Sequence, residues 1–469
     1  MKSYDLIVIG SGPAGEKAAV KAAYFGHSVA IIEKQRKLGG AGVNTGTLPS
    51  KTLKETALYY SGKYDRGLYG IERVLKEEPS IEHFMYRESL VCTTVEREVI
   101  KNLMNHKVDI YHGTATFQTN HEIRIKGSKE ETIRGEYILI ATGSYPFHPT
   151  TIPFDFVRVH DSDSILSISR FPKSLCILGA GVIGCEYATI FGTMGIDVFL
   201  VNDKQHILTF LDHEISQELV QQMRESYIDI LFETSVTNIK MPPHEYELID
   251  ITLATGQILH VDMLLYAAGR SGCTDDLNCA AIGVEIGNRQ VVVVNEKFQT
   301  SVENIYAAGD VVGFPALAST SMDQGRVAVS HMFKTKDLDS LPKVFPYGIY
   351  TIPEVSTVGM SEEEAKAAAI DYCTGIAKYK NMPRGKIKGM NNGFLKIVFR
   401  RDNLAIIGAH IIGALATELI HFGMTLVNER KTVMQVIATV FNYPTLHDLY
   451  KYASYDGLGN LSGHKIKKD

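Results

Sequence analysis

Two glycine-rich turns, each preceded by a short apolar strand and followed by a helical stretch, predict an α/β protein with two Rossmann-like dinucleotide-binding domains. The turns lie at Gly10–Gly15 and Gly179–Gly184. The chain has 469 residues. A chain of that length usually forms roughly two to four domains.

The first turn carries each feature that a dinucleotide fingerprint requires. Gly10 makes the turn, Gly12 lets the backbone approach a pyrophosphate, and Gly15 allows the helix to lie close to the strand. The helix N-terminus then faces the phosphates. The next strand ends at Glu33, 18 residues after Gly15, where a carboxylate binds the ribose hydroxyls. A fingerprint with both strands and the acid in place is a specific signal.

The second turn repeats this pattern with one change. Gly179, Gly181 and Gly184 occupy the same places, and the next strand leads, again after 18 residues, to Asn202 rather than to an acid. A carboxylate accepts a bond from a ribose 2′-hydroxyl but repels a 2′-phosphate, whereas a neutral asparagine can face either group. The second site is therefore expected to accept both NAD and NADP.

An alternative interpretation is that Asp203 replaces the acid one position along. Against it, Lys204, His206 and Arg270 supply cations that could meet a phosphate.

Three further strands end in residues suited to the nucleotide sites. Thr142-Gly143 and Gly269-Arg270 follow the closing strands of the first and second units. Gly309-Asp310 follows another apolar strand, where a carboxylate is suited to bind a hydroxylated chain such as ribityl.

The composition of the chain argues against several other classes of protein. The chain is 45% hydrophobic and 22% charged with a net charge of -5, which argues against nucleic acid or an anionic membrane as a partner. No apolar run is long enough for a signal peptide or a membrane span, so a cytoplasmic enzyme is expected. The six cysteines form no C-x-x-C pair and no metal constellation, so no metal is expected.

Taken together, these residues resemble the flavoprotein disulfide reductase superfamily over essentially the whole chain. The resemblance implies FAD on the first unit, a nicotinamide nucleotide on the second, and Asp310 on the flavin side chain. It also assigns Gly40, Ala115 and Ala318 to cofactor binding. The implied domains are 1–145 with 271–340 for FAD, 146–270 for NAD(P), and 341–469 as an α+β dimerisation domain of a homodimer.

The segment after the first unit departs from the disulfide reductases. Their two redox cysteines correspond to Gly42 and Thr47 here, and no cysteine lies between Met1 and Val91. Thiol-disulfide exchange requires a thiolate, so this helix cannot carry a dithiol relay.

The stretch from Thr45 to Glu55 is instead similar to the soluble, Si-specific pyridine nucleotide transhydrogenases, which carry Thr in place of the second cysteine. A second similarity is Asn442-Tyr443-Pro-Thr, where disulfide reductases have His-Pro-Thr. Those relatives commonly keep the first cysteine, and Gly42 departs from that pattern.

The expected reaction is a ping-pong hydride transfer in which NADPH reduces FAD, NADP leaves, and NAD enters the same site.

Lys51, paired with Glu186, is expected to favour the anionic reduced flavin, although an ordinary interdomain ion pair is the alternative. Thr47 either hydrogen-bonds near the flavin or only fills the space of a thiol. Tyr443 either closes the site from the partner subunit or packs at the interface. His447 and Asp448 are expected to be structural.

Two rival functions remain open from the sequence. One is an FAD-dependent NAD(P)H diaphorase or quinone reductase. The other is a non-enzymic FAD-binding dimeric module, which the intact phosphate loops and the Lys51 and Glu186 pair disfavour.

Overall fold

The computed structural model describes residues 1–64, 68–70, 75, 77–244, 247–335 and 337–463. The last six residues of the predicted C-terminal domain, 464–469, lie outside the described residues. Within the described ranges, no helix combines the length and the apolar character needed to cross a bilayer.

The N-terminal unit is built on a mixed sheet, with a parallel part that carries the first glycine turn and an antiparallel part beside it. Its strands are β1 (Lys2–Ile9), β2 (Val29–Glu33), β3 (Asp109–His112), β4 (Thr114–Phe117), β5 (Glu122–Lys126), β6 (Glu130–Ile140) and β7 (Ser144–Pro146). Its helices are α1 (Pro13–Tyr24), α2 (Gly40–Asn44), α3 (Thr47–Ser61) and α4 (Ile81–Asn105). Strand β1 pairs in parallel with both β2 and β6. Its apolar run is buried because helices cover both faces of such a sheet.

The second unit repeats this plan. Its strands are β8 (Val159–Asp161), β9 (Ser174–Leu178), β10 (Asp197–Val201), β11 (Ile228–Leu231), β12 (Val236–Lys240), β13 (Ile249–Leu253), β14 (Ile258–Val261), β15 (Met263–Tyr266) and β16 (Arg270–Gly272). Its helices are α5 (Val182–Thr193) and α6 (His213–Arg224). The parallel sheet has the order β11-β10-β9-β15-β8, and β12 to β14 form a separate antiparallel sheet.

The chain then returns to the first unit. Strands β7 and β16 pair with each other in an antiparallel connector, so the chain leaves and re-enters at one place. Strand β17 (Ile305–Ala307) extends the first sheet in parallel to β6, and it is followed by α7 (Ala318–Phe333). On this basis we propose the domain limits 1–145 with 271–340, 146–270, and 341–469.

The C-terminal unit is a five-stranded antiparallel sheet with helices packed against it. Its strands are β18 (Tyr347–Ile349), β19 (Val355–Gly359), β20 (Tyr372–Lys378), β21 (Phe394–Arg400) and β22 (Ile406–Ile412). Its helices are α8 (Glu362–Ala367), α9 (Pro383–Lys388), α10 (Ala416–Asn428), α11 (Val433–Ala438) and α12 (Asp448–Ser462). The predicted fold class, two Rossmann-like units and an α+β unit, is confirmed.

A buried lysine joins the second and third units. Lys396 on β21 has a fully buried side chain, and its Nζ lies 2.9 Å from Asp212 Oδ2, at the N-terminal cap of α6. The same ammonium lies 2.8 Å from Glu214 Oε2 and 2.6 Å from Glu362 Oε2. Burial alone would raise the pKa of Asp212, but His410 and Lys396 hold that pKa below its ordinary value. The charged cluster therefore fixes the second unit against the C-terminal sheet.

We expect the Lys396→Met variant to lose about 3–5 kcal/mol of stability, because the Asp212 carboxylate is left buried without its cation. The midpoint of urea unfolding measures this. The control is Lys431→Met, which removes a pair with Glu429 whose side chains are 40% and 55% exposed. That change should cost no more than about 1 kcal/mol. Equal effects of the two substitutions would contradict the assignment of Lys396 as an interdomain anchor.

Candidate active site

A cavity of about 1450 Å³ lies where the three units meet. It is lined by the first glycine turn, by Gly181 at the second turn, by the start of α3, and by the C-terminal unit around Tyr350. Both nucleotide turns therefore face one continuous space. A cavity of that size can hold two extended cofactors partly exposed to solvent.

The first glycine turn excludes side chains at Gly10 and at Gly15. Gly10 has φ 105°, and a Cβ there would overlap the carbonyl oxygen of Ala141. A Cβ on Gly15 would overlap the carbonyl oxygen of Gly10, and one on Gly40 would lie 2.7 Å from the Cα of Gly12. The backbone of α2 thus packs directly on the turn, and the N-terminus of α1 opens into the cavity. This arrangement fits a pyrophosphate.

Glu33 closes the first turn onto β2. Its Oε2 accepts hydrogen bonds from the Ser11 amide at 3.0 Å and the Ser11 hydroxyl at 2.7 Å. Its Oε1 accepts from the Gln35 amide at 2.8 Å. The carboxylate also lines the cavity, and its remaining lone pairs are able to accept ribose hydroxyls. Glu33 is therefore a loop anchor as well as the proposed ribose ligand.

The residues proposed for the rest of the flavin lie around the same space. Thr142, Gly143, Asp310, Ala115 and Ala318 all line the cavity. The Oγ1 atom of Thr142 is buried and has no hydrogen-bond partner among the residues that the structure describes. Because a buried hydroxyl is costly to leave unpaired, this orphaned group supports a bound ligand at that place. The donor set therefore fits a dinucleotide with a polyhydroxyl chain.

Asp310 lies at the start of a short 3-10 helix after β17. Its Oδ2 accepts a hydrogen bond of 3.3 Å from the Ser144 hydroxyl. The amide of Gly309, which has φ 86°, donates to Gln324 Oε1 at 2.7 Å. This turn is fixed by α7, and the Asp310 carboxylate is presented to the cavity.

The second turn has the same geometry as the first. Gly179 has φ 105°, and a Cβ on Gly184 would overlap the Gly179 carbonyl oxygen. A Cβ on Gly181 would meet no described atom within 4 Å, so that face is open. Gly269, with φ 151°, also lines the cavity, and a Cβ there would lie 3.3 Å from Arg289 Nη1.

Asn202 follows β10 and is buried. Its Nδ2 donates to the carbonyl oxygens of Lys204 at 2.9 Å and His206 at 3.0 Å. Both amide hydrogens are therefore committed to the loop, and Oδ1 is left as an acceptor. Asp203, Lys204 and His206 are exposed on that loop. The Asn202 amide carries no charge, and Lys204 and His206 are the exposed basic side chains on this loop.

The sequence groups Arg270 with Lys204 and His206, but in the structure Arg270 bonds to other segments. Its Nε donates to Ser144 Oγ at 2.8 Å, and its Nη1 donates to Ser162 Oγ at 3.1 Å. Its Nη1 also lies 3.5 Å from Asp163 Oδ1. The guanidinium therefore ties the β7–β16 connector to the second unit while one side lines the cavity.

The predicted ion pair between Lys51 and Glu186 is present. Lys51 Nζ on α3 lies 2.9 Å from Oε1 and 2.7 Å from Oε2 of Glu186 on α5. Glu186 also accepts from the Ser50 hydroxyl at 3.3 Å and from the Tyr350 amide at 2.9 Å. The Glu186 side chain is only 5% exposed and that of Lys51 is 24% exposed, and both line the cavity. The pair therefore presents an ammonium to the cavity from a fixed position.

Gly42 and Thr47 line the cavity on α2 and at the start of α3. All six cysteines are free, and Cys273 alone among them is partly exposed and lines the cavity. Burial raises the pKa of the Cys92 thiol to about 12 and that of the Cys273 thiol to about 11. The described residues also hold no cluster of three potential metal ligands. The cavity offers neither a dithiol nor a reactive thiolate.

Tyr443 is 70% exposed and is not among the described residues that line the cavity of its own chain. His447 stacks on Phe441 with ring centroids 6.2 Å apart, and Asp448 begins α12. The approach of Tyr443 to a site across a dimer stays a proposal. Sequence reasoning missed Tyr350, whose contact with the Lys51 and Glu186 pair joins distant segments and follows no local pattern.

Comparisons with known proteins agree with this geometry. Residues 4–325 match the family described as pyridine nucleotide-disulphide oxidoreductase, and residues 345–454 match the dimerisation domain of that family. The second match confirms the predicted dimerisation domain, and with it the expected homodimer.

Relatives match almost the whole chain. The soluble pyridine nucleotide transhydrogenase of Mycobacterium tuberculosis (strain ATCC 25177 / H37Ra) is 40% identical over 465 residues, covering 98% of each chain. That of Pseudomonas fluorescens (strain Pf0-1) is 36% identical, covering 98% of this chain and 99% of the relative.

Solved structures show the same fold. The HOCl-induced flavoprotein disulfide reductase RclA from Escherichia coli, as its Cu(II) complex, superposes with a TM-score of 0.88 at 26% identity, covering 97% of this chain and 99% of that one. LpdA from Mycobacterium tuberculosis has a TM-score of 0.88 at 23% identity, with the same coverage. The chain belongs to the pyridine nucleotide-disulphide oxidoreductase family, and FAD and nicotinamide nucleotides are its cofactors.

Proposed function

We propose that this protein catalyses hydride transfer between NADPH and NAD+, with FAD as the carrier in a ping-pong cycle that yields NADP+ and NADH. The observation that carries the proposal is a cavity that both nucleotide turns face and that offers no redox thiol at Gly42 or Thr47. The relatives described as soluble pyridine nucleotide transhydrogenases support the same reaction.

Bound FAD supplies the redox chemistry, because it accepts a hydride from one nicotinamide and gives it to another. The protein contributes position and charge. We propose that Lys51, held by both oxygens of Glu186, places positive charge where negative charge develops. Thr47, at the first position of α3, fills the place of a redox thiol with a hydroxyl that cannot exchange with disulfides.

The second turn is proposed to bind NADPH and NAD+ in succession. Gly181 leaves an open face for the nucleotide backbone, and the loop held by Asn202 presents Lys204 and His206. Tyr443 is proposed to close the site from the partner subunit, since its side chain is exposed in the single chain.

Two finer points belong to the proposal. We propose Si-specific transfer, in line with the branch that the sequence resembles, and stereospecifically deuterated NADPH reports the face used. We also propose a cytoplasmic location, because the substrates are the nicotinamide nucleotides of the cell and the six free cysteines fit a reducing compartment.

The direct test is anaerobic mixing of the purified FAD-bound protein with NADPH and thio-NAD+. We expect NADPH to bleach the flavin and the reduced thio-NAD chromophore to appear over many turnovers. Rapid reduction of a quinone or dye without reduced thio-NAD would favour the diaphorase alternative. A flavin that NADPH fails to bleach would favour the non-enzymic module.

Thiol alkylation should leave transhydrogenation unchanged. We expect the NADPH-reduced protein, treated with iodoacetamide at about pH 7.5, to keep its NADPH to thio-NAD+ turnover, because every cysteine pKa is raised by burial and little thiolate exists. Mass spectrometry of treated protein, native and denatured, checks that the reagent works. Inactivation that tracks modification of one cysteine would overturn the thiol-free mechanism.

Nucleotide preference should respond to charge at Asn202. We expect Asn202→Glu to lower kcat/KM for NADP(H) about tenfold more than for NAD(H), because a carboxylate repels the 2′-phosphate. Steady-state kinetics with each nucleotide measure the difference.

Substitutions at two neighbouring residues serve as controls for Asn202→Glu. Lys204→Gln should weaken NADP(H) alone, since Lys204 is exposed on the loop. Asp203→Asn should leave NAD(H) kinetics unchanged if Asn202 and not Asp203 faces the ribose. Equal losses for both nucleotides in Asn202→Glu and also in Lys204→Gln would refute the specificity argument.

A further inference from the structure

The C-terminal unit reaches the Lys51 and Glu186 pair through one short segment, residues 350–354. The Tyr350 amide donates to Glu186 Oε1 at 2.9 Å, and the Ile352 amide donates to Thr189 Oγ1 on α5 at 3.1 Å. At the end of the segment, Glu354 pairs with Lys54 of α3 at 2.5 Å, with side chains 8% and 5% exposed. The segment is thus bonded to both helices that carry the pair.

Glu354 is itself anchored to the C-terminal unit. Its Oε2 accepts from the Thr417 amide at 3.1 Å and from the Thr417 hydroxyl at 2.8 Å, at the start of α10. Its backbone carbonyl accepts from the Gly413 amide at 2.9 Å. The segment that carries Tyr350 is therefore held by the dimerisation domain at Glu354 and by both nucleotide units through Glu186, Thr189 and Lys54.

The backbone of Tyr350 contacts Glu186, and its side chain contacts the Lys51 ammonium. Lys51 Nζ lies 5.0 Å from the centroid of the Tyr350 ring, which is within the range of a cation–π interaction. The three donors of the ammonium are directed at Glu186 Oε1, Glu186 Oε2 and Ser50 Oγ, the last at 3.2 Å. The Tyr350 ring therefore contacts the Lys51 ammonium in addition to its three hydrogen bonds.

Tyr350 lines the cavity, and burial raises the pKa of its phenol, so the ring stays neutral. A neutral aromatic face attracts the ammonium without neutralising it. Glu186 and Ser50 hold the Lys51 ammonium by hydrogen bonds, and the Tyr350 ring adds a contact with the same ammonium.

We propose that Tyr350 is a positioning residue: its ring orients the Lys51 ammonium toward the flavin, so that the dimerisation domain sets part of the electrostatic field at the flavin. The inference rests on the proposed role of Lys51 in the transhydrogenase cycle. It concerns the ring and not the main chain, because any residue other than proline at this position keeps the backbone hydrogen bond to Glu186.

The test uses the FAD-bound protein and the midpoint potential of its flavin, measured anaerobically against a reference dye. Tyr350→Leu removes the ring and keeps the amide, whereas Tyr350→Phe keeps the ring. We expect Tyr350→Leu to make the potential more negative, with a loss of about two- to fivefold in the reduction equilibrium. Tyr350→Phe should restore the wild-type potential. If the leucine variant loses FAD, Tyr350→Met replaces it.

A double-substitution cycle separates positioning from a structural role. Lys51→Met should shift the potential in the same direction, and adding Tyr350→Leu to it should cause no further shift. An unchanged potential in Tyr350→Leu, or an equal shift with and without Lys51, would overturn the proposal. Both readouts stand whether or not thio-NAD+ accepts the hydride, so failure of the proposed function is distinguished from failure of this inference.

Discussion

The carboxylate of Glu186 is the group on which the arrangement of the site depends. It is buried at the meeting point of three units, and it accepts bonds from Lys51, from Ser50 and from the Tyr350 amide. Taking a charge out of water is costly unless partners replace the lost solvent. Because those partners come from α3 and from the C-terminal unit, the charge is stable only when both are in place. The three units must therefore assemble before the charged pair at the cavity can form.

Much of the fold could be predicted because its signals are local. A strand, a glycine turn and a helix within about 30 residues specify each nucleotide unit, and β1 with Gly10 to Gly15 has that form. The contact of Lys51 with Glu186 spans 135 positions and was predicted only through the family resemblance. The contacts of Tyr350 and of Lys396 join segments far apart in the chain, and neither residue type nor spacing marks them in the sequence. Such contacts emerge only when sheets from different units are packed together.

The comparison of Glu33 with Asn202 shows why charge alone is an incomplete basis for predicting nucleotide preference. Sequence reasoning treated both as ligands at the end of the second strand of a unit. In the structure each also shapes its loop, Glu33 by accepting from the Ser11 amide and Asn202 by donating to the Lys204 and His206 carbonyls. The two residues hold their loops with opposite polarity. Preference at the second site is therefore a property of the loop that Asn202 supports, including which cations that loop exposes.

The packing around Gly42 leaves no space for a side chain. A Cβ at this position would lie 2.8 Å from Cγ of Pro13, the first residue of α1. The place of a first redox side chain is thus occupied by the proline ring, and the neighbouring backbones of Gly40 and Gly12 are in close contact. A thiol here would require Pro13 to move, and with it the helix N-terminus that faces the proposed pyrophosphate site. The absence of sulfur and the close packing of α2 on α1 are therefore coupled, so that restoring a dithiol requires changes in the phosphate-binding turn as well as two cysteines.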